Sequence, residues 1–228
     1  MGGDAAPGMV VGGAALARER HPNLRFIMFG DEAEINPLLS RHRALRDCVE
    51  VRHTEHKIMA TDRPSQALRQ GRQSSMRLAI NAVADGEAGG VVSAGNTGAL
   101  MAMSKFALKP MKGIDRPAIA KNFPTMHGDC IILDLGANVQ CDADNLVQFA
   151  VMGEAYARKV LGIEQPSIGI LNIGSEDVKG HEQLQHAAAM LQEINLPIRF
   201  HGFVEGDDIT KGTVDVVVTD GFTGNIAL

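Results

Sequence analysis

Three glycine-rich segments that also carry Asn or Thr are the strongest candidates for chemistry in this sequence. They span residues 93–98 (SAGNTG), 134–139 (DLGANV) and 220–225 (DGFTGN), and each is predicted to follow an apolar strand directly. Open α/β sheets bind ligands outside the carboxyl ends of their strands. Glycine permits close backbone approach, and helix N-termini bind anions. We therefore predict an anion site; ordinary tight turns with Asn and Thr caps are the alternative.

Lys179 lies between Val178 and Gly180 in a further loop predicted to follow a strand. Its ammonium group would suit a phosphate or a developing oxyanion, although a solvated surface lysine has the same local sequence. Cys141 is read as a small buried hydrophobe rather than an acyl-thiol nucleophile. Asp142 and Asp144 are expected to cap a helix rather than bind a divalent metal. We predict no metal site and no organic cofactor.

Composition and motif content exclude several function classes. The sequence contains neither GxxxxGK[ST] nor GxGxxG, which disfavours classical nucleotide binding. The net charge is −5 and aromatic residues make up 4%, which argues against nucleic acid as a partner. Three cysteines without a CxxC pair fit a reducing compartment. No secretory signal and no apolar run of ~18 residues is present, so a cytoplasmic location is expected.

Short Val- and Ile-rich runs alternate with amphipathic stretches, which predicts an α/β fold with a mostly parallel sheet. Strands are predicted near residues 24–29, 90–93, 131–135, 168–173 and 214–219. Helices are predicted at residues 10–20, 64–84 with a break near Gly71, 97–108, 144–161 and 181–194. Residues 226–228 are read as the first turn of a helix that does not continue. We expect one domain over residues 1–228 that is incomplete at both ends.

Ten short segments, in order along the whole chain, carry a resemblance to a known family. They are residues 1–4 (MGGD), 62–65 (DRPS), 74–76 (SSM), 93–100 (SAGNTGAL), 113–118 (GIDRPA), 133–138 (LDLGAN), 148–153 (QFAVMG), 171–174 (LNIG), 178–180 (VKG) and 220–225 (DGFTGN). The sequence resembles the bacterial phosphate acyltransferase family. Gln140 departs from the pattern, because an Asp is more usual there.

The resemblance implies a three-layer α/β/α sandwich like that of isocitrate and isopropylmalate dehydrogenases. It implies transfer of a fatty acyl group from acyl carrier protein to inorganic phosphate, giving acyl phosphate for phospholipid synthesis. Family members act as homodimers and contact the inner face of the membrane peripherally. They also have a strand before Met1 and further helices after Asn225, so the resemblance implies that a first strand and a C-terminal segment are missing.

The resemblance and the residues together give a set of site predictions. Lys179, Asn96 and Asn225 are the candidate catalytic residues. The candidate phosphate-binding residues are Ser93, Gly95, Asn96, Thr97, Gly98, Thr223 and Gly224. Supporting roles are predicted for Asp4, Asp134, Asn138 and Asn172.

Other readings remain open at this point. A phosphotransacetylase acting on a small acyl-CoA would share the fold. A noncatalytic phosphate-binding fragment is the alternative from a different class. An oxidoreductase would need metal-binding aspartates and an NAD site, which the sequence does not reveal. A basic stretch suggests either a docking face for an acidic partner or a solvated helix face; it contains Arg63, Arg69, Arg72, Arg77, Lys105, Lys109 and Lys112.

Overall fold

The computed structural model describes residues 1–176, 178–194 and 198–228. The chain divides into two compact units, Met1–Lys109 and Pro110–Leu228. Both are mixed α/β structures, as the alternating sequence pattern predicts. No helix in the described part of the chain is long and apolar enough to cross a bilayer.

The first unit contains a two-stranded parallel sheet and a group of packed helices. Its elements are α1 (Gly8–Arg20), β1 (Phe26–Gly30), α2 (Glu32–Leu39), a 3-10 turn (Arg43–Leu45), β2 (Val49–His53), α3 (Pro64–Gln70), α4 (Ser75–Ala84) and α5 (Thr97–Leu108). Ala67, Ile80 and Met103 are buried where α3, α4 and α5 meet. This core supports the N-terminus of α5, where the first glycine-rich segment ends.

The second unit is built on a five-stranded sheet with the order β3-β4-β7-β5-β6. Its elements are β3 (Ala120–Thr125), β4 (Gly128–Leu133), α6 (Ala143–Tyr156) with a π turn (Ala157–Leu161), β5 (Ser167–Leu171), α7 (Glu182–Glu193), β6 (Arg199–Val204), α8 (Gly206–Lys211), β7 (Val216–Val218) and α9 (Gly221–Ala227). Only β3 runs antiparallel to its neighbour among these strands. The carboxyl ends of β4, β7, β5 and β6 therefore share one edge.

Side chains on both faces of this sheet are buried. Ile131 and Leu133 pack with Phe149 of α6 on one face. Ile132 and Val217 pack with Ile209 of α8 on the other face. Adjacent residues of a strand point to opposite faces, so a sheet covered on both sides needs continuous apolar runs. This requirement explains why residues 131–133 of β4 and all of β7 are unbroken Ile, Leu and Val sequences.

The structure corrects several sequence-based assignments. Residues 90–93 form no strand, so the segment 93–98 follows an irregular stretch. The segment 220–225 is a helix start rather than a glycine-rich turn, because Asp220 caps α9 by accepting a hydrogen bond from the Thr223 amide at 2.8 Å. The predicted break near Gly71 is confirmed between α3 and α4. The strands β2, β3 and β6 and the helices α2 and α8 were not predicted.

Candidate functional site

In the first unit, the N-terminal residues lie directly against the segment 93–98. Gly3 has φ +130°, and a Cβ added there would come within 2.7 Å of the Ala94 carbonyl oxygen. Gly2 has φ +83°, and its added Cβ would meet the Ile58 carbonyl oxygen at 2.9 Å. Both positions therefore require glycine. Asp4 follows immediately, in an exposed turn.

Asn96 is the N-cap of α5 and organises the loop around it. Its Oδ1 accepts a hydrogen bond from the Ala99 amide at 2.9 Å. Its Nδ2 donates to the carbonyl oxygens of Ala60 at 3.1 Å and Asp62 at 2.9 Å, with Met59 at 3.2 Å. The side chain thus fixes the segment before α3 relative to α5. The role of Asn96 as a hydrogen-bond donor to phosphate stays a prediction.

The other candidate residues of this segment surround Asn96. The Gly95 amide donates to Ser93 Oγ at 3.2 Å. Thr97 and Gly98 form the exposed first turn of α5. A Cβ on Gly98 would lie 2.7 Å from Cγ of Pro64, so a larger residue there would collide with the start of α3. The segment therefore presents the helix N-terminus that an anion would need.

Asp134 is the central polar group of the second unit. It is completely buried at the end of β4. Its Oδ1 accepts hydrogen bonds from the amides of Ile119 at 2.8 Å and Ala137 at 3.2 Å. Its Oδ2 accepts from the Asn138 amide at 2.6 Å and from Asn138 Nδ2 at 2.9 Å. Four donors thus compensate the burial of this carboxylate, which holds the loop after β4 in place.

The helix α9 begins on top of this loop. The Gly221 amide donates to the Asn138 carbonyl at 2.8 Å. A Cβ on Gly221 would lie 2.8 Å from Oδ2 of Asp134, and one on Gly224 would collide with the Asp134 carbonyl oxygen. Asn225 Nδ2 donates weakly to the Leu135 carbonyl at 3.4 Å. The structure therefore brings Asp134, Asn138, Gly224 and Asn225 together.

Thr223 and Gly224 use part of their hydrogen-bonding capacity within α9. Thr223 Oγ1 donates to Asp220 Oδ2 at 2.9 Å, and the Gly224 amide donates to the Asp220 carbonyl at 2.9 Å. Thr223 is nevertheless exposed. That Thr223 and Gly224 bind phosphate stays a prediction.

Lys179 lies in the loop after β5, on the other side of β7 from Asp134. Asn172 is buried at the end of β5; its Nδ2 donates to the Lys179 carbonyl at 3.1 Å, and its Oδ1 accepts from the Ile173 amide at 2.8 Å. Gln185 Nε2 donates to the Val178 carbonyl at 3.1 Å. The sequence analysis did not identify Gln185 as a site residue, because a single glutamine within a helix belongs to no recognisable motif.

No metal-binding cluster was found among the described residues, since no group of three or more His, Cys, Asp and Glu side chains comes together there. Asp142 caps α6, where its Oδ1 accepts from the Asn145 amide at 2.8 Å. All three cysteines are free. Burial raises the pKa of the Cys141 thiol to about 11, and the thiol donates to the Asn138 carbonyl at 3.5 Å.

Cys141→Ala is expected to leave the rate of any acyl transfer within about twofold of the wild type. A thiol with a raised pKa stays protonated and poorly nucleophilic at neutral pH. Steady-state rates of the two proteins between pH 7 and pH 8 test this expectation. An acyl adduct on Cys141 that forms and decays at the turnover rate would contradict it.

Two solved structures have a fold similar to that of this chain. The fold is similar to that of the EutD phosphotransacetylase from Staphylococcus aureus, with a TM-score of 0.65, 18% identity and coverage of 94% of this chain and 75% of that one. It is also similar to a branched-chain phosphotransacylase from Enterococcus faecalis, with a TM-score of 0.61, 16% identity and coverage of 99% and 79%. The structure is thus an α/β protein with the fold of these phosphotransacylases.

The sequence itself gives the family. Residues 1–228 match the family described as fatty acid synthesis protein, and the chain belongs to it. The phosphate acyltransferase of Paramagnetospirillum magneticum is 63% identical over the whole chain, and that of Rhodospirillum rubrum is 59% identical. The chain spans 65% of the length of each of these two curated relatives.

Proposed function

We propose that the protein containing this chain transfers a fatty acyl group from acyl carrier protein to inorganic phosphate, forming an acyl phosphate for phospholipid synthesis. The observation that carries this proposal is the match of all 228 residues to the family, with relatives named phosphate acyltransferase at up to 63% identity. We also propose that residues 1–228 form one acyltransferase domain of the dehydrogenase-like α/β/α sandwich type.

The proposed reaction is a direct displacement at a thioester. A phosphate oxygen attacks the carbonyl carbon, the carbon–sulfur bond breaks, and the carrier thiolate leaves and takes up a proton. Because the thioester is already activated, positioning and charge stabilisation supply most of the catalysis. Lys179 is the residue proposed to offset negative charge on the phosphate or the thioester oxygen. Asn225 is the second catalytic candidate in this unit, and no metal or organic cofactor is part of the scheme.

An exposed cationic surface in the first unit supports the proposal that the acyl donor is carried by an acidic protein. Arg69, Arg72 and Lys105 are exposed, and none of them forms a salt bridge within the part of the chain that the structure describes. The helices α3 and α5 lie side by side, since a Cβ on Gly71 would meet Met103 Cε at 2.8 Å. We propose that this surface attracts the carrier protein through complementary charge.

We further propose that the intact protein is a cytoplasmic homodimer with peripheral membrane contact. Light scattering tests the homodimer, and co-sedimentation with anionic phospholipid vesicles tests the membrane contact. A monomer that stays in the supernatant would refute both parts.

The decisive experiment is an assay of acyl phosphate formation by the intact protein. Long-chain acyl carrier protein and acetyl-CoA are supplied separately with inorganic phosphate, and the product is trapped as a hydroxamate. The proposal expects turnover with the acyl carrier protein. Turnover with acetyl-CoA alone would favour the phosphotransacetylase reading, which rests on the likeness of the fold. No product from either donor would refute acyl transfer to phosphate.

Asn96 provides a test of the phosphate prediction for residues 93–98. Asn96→Asp keeps the oxygen that caps α5 and removes the donor that reaches the Ala60 and Asp62 carbonyls. We expect the KM for phosphate to rise roughly tenfold, because a displaced loop and an added negative charge both disfavour an anion.

The matched control for Asn96 is Asn36→Asp. Asn36 is an exposed residue of α2 in the same unit with no side-chain hydrogen bond among the described residues, so its variant adds the same charge outside residues 93–98. We expect an unchanged KM for phosphate in the control. An unchanged KM in Asn96→Asp would remove residues 93–98 from the phosphate site.

A further inference from the structure

We propose that Gln185 is a positioning residue that holds the backbone of residues 178–180 and so keeps the Lys179 ammonium group in place for acyl transfer. The inference rests on the proposed function, because it assigns Lys179 a catalytic charge. Gln185 lies on α7, outside every glycine-rich segment, and does not itself touch the reacting groups in this scheme.

The amide of Gln185 reaches three consecutive carbonyl groups. Its Nε2 lies 3.1 Å from the Val178 oxygen, 3.4 Å from the Lys179 oxygen and 3.5 Å from the Gly180 oxygen. The first is an ordinary hydrogen bond and the other two are long, so the two amide hydrogens are shared among three acceptors. Gln185 therefore holds the backbone of residues 178–180 at three carbonyl groups rather than at one.

Asn172 also holds the backbone at Lys179. Its Nδ2 donates to the Lys179 carbonyl at 3.1 Å, so this oxygen lies between two side-chain amides. Gly180 has φ +84°, and a Cβ there would collide with Asn172 Oδ1. Gly180 therefore packs closely on Asn172 in a backbone conformation that favours glycine. Asn172 anchors the loop to β5, and Gln185 anchors it to α7.

The Lys179 side chain is left exposed while its backbone is held. A Cβ on Gly174 would lie 3.2 Å from Lys179 Cγ, so the stem of the lysine passes over a glycine. Among the described residues, Lys179 forms no salt bridge. Electrostatic catalysis depends on charges that are held in place before the reaction. The lysine side chain is flexible, so its ammonium group is held in place only if the backbone that carries it is fixed.

The test compares Gln185→Met with Gln192→Met in the intact protein. Methionine keeps the length and helix propensity of glutamine but has no N–H donor. Gln192 is an exposed residue of the same helix with no side-chain hydrogen bond among the described residues. We expect Gln185→Met to lower kcat about tenfold with the KM for phosphate changed less than twofold, and Gln192→Met to match the wild type.

Two further measurements separate positioning from a general loss of structure. In a Lys179→Ala background, Gln185→Met should cause no additional loss, because the group it positions is gone. Amide hydrogen exchange over residues 178–181 should accelerate in Gln185→Met, while the β4 and β7 amides stay protected.

The outcomes distinguish this inference from the function on which it rests. An equal fold-loss in both backgrounds, or unchanged exchange over residues 178–181, would overturn the role of Gln185. A wild-type protein that forms no acyl phosphate would instead overturn the proposed function, and the exchange comparison would still decide whether Gln185 holds the loop.

Discussion

Lys179→Ala is expected to lower kcat/KM for acyl phosphate formation by roughly 100- to 1,000-fold, the usual effect of removing one group that stabilises charge in a transition state. The side chain is exposed, while the loop backbone is held by Asn172 and Gln185 through hydrogen bonds that do not involve the ammonium group. The variant should therefore keep its fold. The measurement is kcat/KM with acyl carrier protein and phosphate, combined with thermal unfolding to check stability.

Two further variants show what the Lys179 result means. Lys179→Arg keeps the charge on a planar group of different shape, so we expect activity between those of Lys179→Ala and the wild type. Lys121→Ala removes an exposed lysine from β3 and should change kcat/KM less than twofold. A Lys179→Ala protein with kcat/KM within twofold of the wild type would exclude Lys179 from the reaction.

Asp134→Ala is expected to lower the free energy of unfolding of the second unit by about 3–5 kcal/mol. Alanine leaves three backbone amides, of which that of Asn138 is buried, and the Asn138 side chain without their shared acceptor. It also removes the group against which Gly221 packs at the start of α9. Urea unfolding followed by circular dichroism measures the loss as a lower midpoint.

Asp142→Ala is the matched control for this prediction. Asp142 accepts one hydrogen bond, from the Asn145 amide, so its loss should cost only about 1 kcal/mol, as for other N-caps. Equal losses in the two variants would contradict the central role of Asp134. Asp134→Asn is expected to fall between them, because an amide keeps one acceptor oxygen but adds a donor facing backbone N–H groups.

The strands of the second unit were predictable where they are buried on both faces. Residues 131–133 and 216–218 are continuous apolar runs, which is the pattern of a covered parallel sheet. The strand β6 was missed because Arg199 and His201 interrupt its apolar residues at the edge of the sheet. Propensity also failed at residues 90–93, where an apolar run pairs with no neighbouring strand in the described structure.

Composition and spacing are local properties, so they predicted the glycine-rich segments, the alternation of strands and helices, and the residue types that suit an anion. Which of those residues meet depends on how the strands and helices pack. The strand order β4-β7-β5 brings the loop of Asp134 to α9 on one side and sets the loop of Lys179 beyond β7. The packing of the chain also directs the polar atoms of Asn96 and Asp134 to backbone partners. It places the side chain of Gln185 within hydrogen-bond distance of the Val178 carbonyl. Hydrogen bonds between distant segments depend on how the chain packs, and local sequence does not record that packing.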